Sequence, residues 1–233
     1  MLMLRVFDKQ AQEAEMTYKL DMSRMFLMHD ALRRELERLA RISARTGDDP
    51  VRIIRTAVGW ELFKKFLRVH HTAEDDALWP VMRRELAGRP ENLALLDAME
   101  EEHAAIDPLL AAVDAALADR DHGAERLGGL IDALDSGLRH HLRHEESEGL
   151  ALIDATLTEE QWSGFGAAHA DRIGDDAPRY LPWLLDDRDE ETVAEMLASL
   201  PPAIRDAYRD EWRPAYAATP LYPAPEPSGQ VRG

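Results

Sequence analysis

The sequence predicts an all-α protein, an up-down-up-down four-helix bundle with a smaller C-terminal helical extension. Three observations lead there. Hydrophobic residues recur at three- and four-residue spacing rather than in alternation. The long periodic stretches are separated only by short breaks containing Gly, Asp and Pro, which force successive helices to run antiparallel. After Leu157 the texture changes to shorter segments that carry Trp and Tyr.

The first helix is expected over about 21–46 and the second over about 51–86, joined by Gly47-Asp48-Asp49-Pro50, which ends one and caps the next. The third, about 91–119, follows Gly88-Arg89-Pro90, and the fourth, about 123–156, follows Asp121-His122-Gly123. Pro80 and Pro108 fall inside these helices, where a proline removes a backbone donor, so a kink or an early end is expected at each. Residues 1–157 are thereby assigned to the bundle. Thr158, with Gln161 three residues on, reads as a capping box for a fifth helix that stops near Gly174. Further helices over about 178–186, 189–199 and 202–213, with Trp162, Tyr180, Trp183, Tyr208 and Trp212, define an extension over 158–218 that packs back on the bundle. The Pro-rich stretch 219–233 cannot hold a helix and is expected to be disordered.

Composition excludes several function classes. The 28 Lys+Arg against 45 Asp+Glu give a net charge of −17, which repels phosphate backbones and anionic lipid, so neither nucleic acid nor membrane is expected as a partner. The absence of cysteine removes disulfides, thiolate metal sites and cysteine nucleophiles together. Met1 to Phe7 do not read as a signal peptide, and no run approaches the roughly 20 apolar residues of a spanning helix. A soluble, cytoplasmic protein is the expectation. Neither a glycine-rich phosphate loop nor a G-x-S-x-G motif is present.

The chemistry lies in the histidines, nine in all, seven of them in the four long helices. The core stripe of the first helix runs Met25, His29, Leu32, Leu36, Leu39, and that of the second Leu62, Phe66, His70, Glu74, Ala77, Val81. The third gives Leu96, Met99, His103, Ile106, Leu110, Val113, Leu117, and the fourth Leu127, Leu130, Leu134, Leu138, His141, Glu145, Leu152. Every helix thus places a histidine where an apolar residue belongs, and in two of them a glutamate follows at i+4. Burying four imidazoles and two carboxylates is costly without strong compensation, which a metal centre would supply. Their depths agree: His29 lies about 17 residues before the first turn and His70 about 19 after it, near 26–28 Å from it at ~1.5 Å per residue. His103, His141 and Glu145 fall at matching depths from the other turns. Two carboxylates able to bridge, with several imidazoles, suit a pair of first-row metal ions, iron favoured and manganese or zinc compatible.

These residues resemble the hemerythrin-like (HHE cation-binding) family. The matching segments are His29-Asp30-x-x-Arg33, the run from His70-His71 through Glu74-Asp75 to Pro80, Glu101-Glu102-His103-Ala-Ala-Ile106, and His141-Leu-Arg-His144-Glu145-Glu146, over about residues 21–155. The resemblance implies a non-haem di-iron site, with His29, His70, His103 and His141 as terminal ligands and Glu74 and Glu145 as bridges. Two departures stand out. The oxygen-carrying hemerythrins place a second histidine one turn before the third-helix ligand, where this chain has Met99, and their last carboxylate is an Asp at i+5 rather than Glu145 at i+4. Both argue against plain O2 transport.

His71, His140 and His144 lie about 100° off the ligand stripe and are expected as supporting or surface groups, His71 and His140 being the first replacements should the register slip by one residue. Glu102, Asp107 and His169 are candidates to join the site, with a solvated or peripheral position the simpler expectation for each. Glu100-x-x-His103 matches half of a ferritin-type site, but the second pair such a site needs is missing. The expected function is binding or reduction of O2, NO or peroxide. A non-catalytic iron or oxygen sensor is the first alternative. A di-iron oxygenase acting on a small organic substrate is the other, and it would need a pocket walled by the extension.

Overall fold

The computed structural model describes residues 18–44 and 50–223. Among these residues every regular element is helical and no strand occurs. The first helix, α1 (Ser23–Ser43), is followed by α2 (Pro50–Arg55), α3 (Val58–Ala73) and α4 (Trp79–Glu85), then the long α5 (Pro90–Ala118), α6 (Gly123–His144) and α7 (Leu150–Thr156). A single π-helical turn, Glu74–Leu78, joins α3 to α4, and another, Glu145–Gly149, joins α6 to α7. The extension comprises α8 (Glu159–Ile173), α9 (Ala177–Leu184), α10 (Glu190–Ala198), α11 (Pro202–Ala207) and, after a third π-helical turn over Tyr208–Trp212, α12 (Arg213–Ala217). No helix among the described residues is long and apolar enough to cross a membrane.

Several local expectations are met by recognisable chemistry. Gly88 takes φ +85° at the turn before Pro90, a conformation that L side chains resist. Asp119 closes the next turn by accepting the backbone N–H groups of Asp121 and His122 at 3.0 and 3.1 Å. Thr158 and Gln161 form the reciprocal capping box at the start of α8, which ends at Gly174 with φ +47°. Of the first turn, Gly47, Asp48 and Asp49 lie outside the described residues.

Other expectations are corrected. The second helix is not continuous over 51–86: the chain is extended at Ala57, and α3 begins at Val58. There the backbone N–H of Gly59 donates to Leu221 O at 2.9 Å, and any side chain at Gly59 would collide with the Tyr222 ring. The start of the Pro-rich stretch is therefore anchored, with the Tyr222 hydroxyl donating to buried Glu35 at 2.9 Å; residues 224–233 of that stretch lie outside the described residues. Pro108 does not end its helix, because α5 runs through it on an exposed face where water can satisfy the carbonyl that loses its donor. Pro80 does not end its helix either. It sits in the first turn after the π-helical segment, where a missing N–H is tolerated.

The π-helical turns at Glu74–Leu78 and Glu145–Gly149 shift the core register. Each adds one residue to its turn, so the buried stripe continues on Leu78 and Met82 rather than on Ala77 and Val81, which are only partly buried. In the fourth path it continues on Leu150 and Ile153 rather than Leu152. Upstream of that turn, within α6, Ile131 rather than Leu130 is fully buried. The first and third stripes are buried as read.

The interior divides into two apolar clusters. One holds Leu32, Leu36, Leu67, Ile106, Leu138 and, from the extension, Leu181 and Trp183. The other holds Met25, Leu78, Leu96, Met99, Leu150 and, from α8, Phe165. Along each long helical path the change from one cluster to the other falls within about one turn of the core histidine or glutamate.

Candidate metal centre

Seven ionisable side chains fill that break: His29, His70, His71, Glu74, His103, His141 and Glu145, all buried. The six positions read from the core stripes converge. His71, expected off the stripe as a supporting or surface group, is brought in with them. The interior of a helical assembly faces a wide arc of each helix, so adjacent residues on α3 can flank one seam from both sides. Its imidazole stacks on that of His103, with centroids 3.9 Å apart and planes 7° apart, and lies 5.2 Å from that of His141.

The donor atoms sort into two sets. His29, His70 and Glu145 can each bring one ligand atom within 4.8 Å of the others, and so can His71, His103 and His141; Glu74, His141 and Glu145 form a group between them. Glu74 reaches both sets, with Oε1 3.4 Å from His70 Nδ1 and Oε2 3.4 Å from His103 Nε2. Glu145 Oε2 does the same, 3.0 Å from His29 Nε2 and 3.9 Å from His141 Nε2.

Carboxylates outside the cluster fix the rings. His29 Nδ1 lies 2.8 Å from Glu146 Oε1, and the Arg33 guanidinium grips the same carboxylate at 2.8 and 2.6 Å. His103 Nδ1 lies 2.8 Å from Asp75 Oδ1, and His141 Nδ1 lies 3.0 Å from Glu102 Oε2. An Nδ1–H donated outward leaves Nε2 with its lone pair directed inward, the arrangement metal-binding histidines use. Sequence reasoning missed these roles of Glu146, Asp75 and Glu102. A carboxylate next to, or one turn from, each core histidine was the available signal.

The site fails to satisfy itself. His29, His70 and His71 Nε2 and all four oxygens of Glu74 and Glu145 are buried without a hydrogen-bond partner. Where such atoms approach one another they lack hydrogen-bond geometry, and each orphan costs about 1–3 kcal/mol. Burial pushes the Glu74 carboxyl well above the usual carboxylate range, and Glu145 adds to the rise. Burial, together with the neighbouring imidazoles, pushes His70 and His71 well below the usual histidine value. Burial also depresses His29, but Glu145 and Glu146 outweigh it and hold that imidazole at about 9. Two oxygen bridges and a ring of inward lone pairs fit a pair of cations, which would satisfy every orphaned donor atom at once.

The remaining candidates fall outside the cluster. Asp107 is exposed. Glu102 is engaged by His141 and by His144, whose Nδ1 lies 2.8 Å from Oε1, and His140 is exposed beside it. His169, on α8, reaches the edge of the site with its ring 6.2 Å from that of His70. Burial, with Arg172 and Arg24 adding, lowers it to about 4. Glu100 is paired with Arg83 at 2.7 Å.

The fold and this cluster define a helical metal-binding protein of the histidine and carboxylate type. The family model for the hemerythrin HHE cation-binding domain matches residues 22–153, more than half of the chain, and the chain belongs to that family. Comparison with curated proteins and with solved structures gave no match.

Proposed function

We propose that the protein is a non-haem di-iron protein that binds or reduces O2, NO or peroxide, its helices 1–157 running up-down-up-down around the centre. The observation that carries this reading is the set of orphaned, inward-facing nitrogen and oxygen atoms in a belt between two apolar clusters. His29 and His70 would hold one ion, His71, His103 and His141 the other, and Glu74 and Glu145 would bridge them. His71 supplies from the second helical path an imidazole that the third lacks at Met99. Iron bound there would supply reversible one-electron chemistry and open coordination positions for a small ligand.

The protein's own residues do the rest. Glu146, Asp75 and Glu102 orient three imidazoles and hold their outer protons. The apolar clusters above and below exclude water, which strengthens every charge interaction within the belt. Metal analysis of anaerobically purified protein, with optical spectra before and after air and then peroxide, tests this. About two irons per chain, with ferric absorption growing on oxidation and peroxide consumed or bound, is the expected result. No stoichiometric metal after reconstitution would sink it.

A further inference from the structure

We propose that the cavity between α1, α3 and the extension binds a neutral, largely apolar aromatic or alicyclic molecule carrying one hydroxyl or carbonyl group. Its placement beside a reactive centre rests on the di-iron reading above; the binding site itself rests on the following geometry.

The cavity encloses about 810 Å³. That lies within the ~300–1,000 Å³ of small-molecule sites and far exceeds what a diatomic ligand needs. Its walls are apolar, with Met25 and Met28 from α1, Phe165 from α8, and Leu200 and Ile204 beyond α10. Methionine and aromatic walls suit a ring. His70 stands at the wall it shares with the metal centre, so an occupant would lie beside one of the two imidazole sets.

Two polar groups on the wall suit an occupant's hydroxyl or carbonyl. His169 makes no hydrogen bond or ion pair among the described residues; its ring is packed 5.8 Å from Tyr180 and 6.4 Å from Phe165. It therefore offers one N–H and one lone pair to a hydroxyl or carbonyl. Among the described residues the Tyr180 hydroxyl hydrogen-bonds only Met28 Sδ, at 4.0 Å. Charge at the lining argues for a neutral ligand. The lining carries two cations, Lys19 and Arg24, and two carboxylates, Asp21 and Glu159, so its charges sum to zero, and both cations already donate to the protein, Lys19 Nζ to Leu157 O at 3.0 Å and Arg24 to Ser199 Oγ at 3.1 Å.

The test is calorimetric titration of the full, metal-loaded chain with 1-naphthol, 1-methylnaphthalene and 1-naphthoate. Saturable one-to-one binding of 1-naphthol is expected, with naphthoate weaker by about tenfold or more because its charge must be stripped of water to enter a largely apolar cavity. Ile204→Trp should weaken binding by projecting an indole into the cavity, and Leu200→Trp provides a second obstructing variant should the first fail to fold. His169→Leu should weaken 1-naphthol about three- to tenfold, the worth of one hydrogen bond, and leave 1-methylnaphthalene unchanged. Absence of saturable 1-naphthol binding to the folded wild-type chain overturns the proposal. So does 1-naphthol affinity unchanged in both folded Trp variants, or naphthoate binding as tight as naphthol. Metal content is measured on every sample. Naphthol binding without stoichiometric metal refutes the di-iron reading alone, and two metals without naphthol binding refutes the cavity assignment alone.

Discussion

Glu102→Ala should loosen the metal centre without removing any proposed ligand. The carboxylate accepts from His141 at 3.0 Å through one oxygen and from His144 at 2.8 Å through the other. The two partners differ in what they lose. His144 is partly exposed and can turn to water, whereas His141 is fully buried and its Nδ1–H would be left without an acceptor. In the metal-free protein that orphan costs about 1–3 kcal/mol. For a chain of this size the melting temperature falls about 2–4 °C per kcal/mol. In the metal-loaded protein, loss of the group that orients a ligating imidazole weakens metal binding about 10–100-fold. Competition against a chelator of known affinity measures that loss, and thermal unfolding with excess chelator measures the first. His144→Ala is the control, expected to stay within about 0.5 kcal/mol because it leaves the His141 contact intact. Equal metal affinity in the wild type and Glu102→Ala would refute the orienting role. Loss of one whole metal per chain would show instead that Glu102 is itself a ligand.

Four further outcomes are expected. His71→Phe should keep the fold, since the ring volume is retained against His103, but metal analysis should fall from about two ions per chain toward one; retention of both would exclude His71 from the ligand set. Gly149→Ala places a methyl 3.0 Å from Glu145 Cγ, so it should destabilise by about 1–3 kcal/mol and weaken metal binding, as read by thermal unfolding and chelator competition. Stripping the metal should lower the melting temperature, since an ion at 100 times its Kd stabilises by about 2.7 kcal/mol per site; an unchanged melting temperature would uncouple metal from folding. Tyr222→Phe removes a hydrogen bond to buried Glu35, which Arg38 still holds at 2.8 Å, so a loss of about 1 kcal/mol in denaturant unfolding is expected.

Four long helical paths, the turns at Gly88 and Asp119, and six of the seven clustered side chains were legible because each rests on a local signal. His29, for example, stands in a stripe of Met25, Leu32 and Leu36 that only one helix face can hold. What escaped was non-local or broke the period. Two of the π-helical turns begin at Glu74 and Glu145 themselves, so counting onward from either glutamate in steps of three and four gave Val81 and Leu152 instead of Met82 and Ile153. Pro80 and Gly149, just after one turn and at the end of the other, were the visible hints; a side chain at Gly149 would crowd Glu145. His71 was set aside on a 100° argument that is sound for a narrow seam and fails for a broad interior. The break at Ala57 depends on Leu221 and Tyr222, far along the chain, and no pattern near residue 57 announces them.

The polar belt also bears on how the molecule is held together. A core cut across its middle by ionisable groups behaves as two separate bodies of grease, and on the inside only the helices themselves and the belt's charges join them. The extension spans that cut from outside. Trp162 and Phe165 of α8 pack with the cluster on one side, while Leu181, Trp183 and Leu184 of α9 pack with the cluster on the other. Arg34 of α1 fastens the far end by donating to Trp183 O at 2.5 Å and Asp186 O at 2.7 Å. The C-terminal third is thus a splint laid across the fracture that the metal site requires.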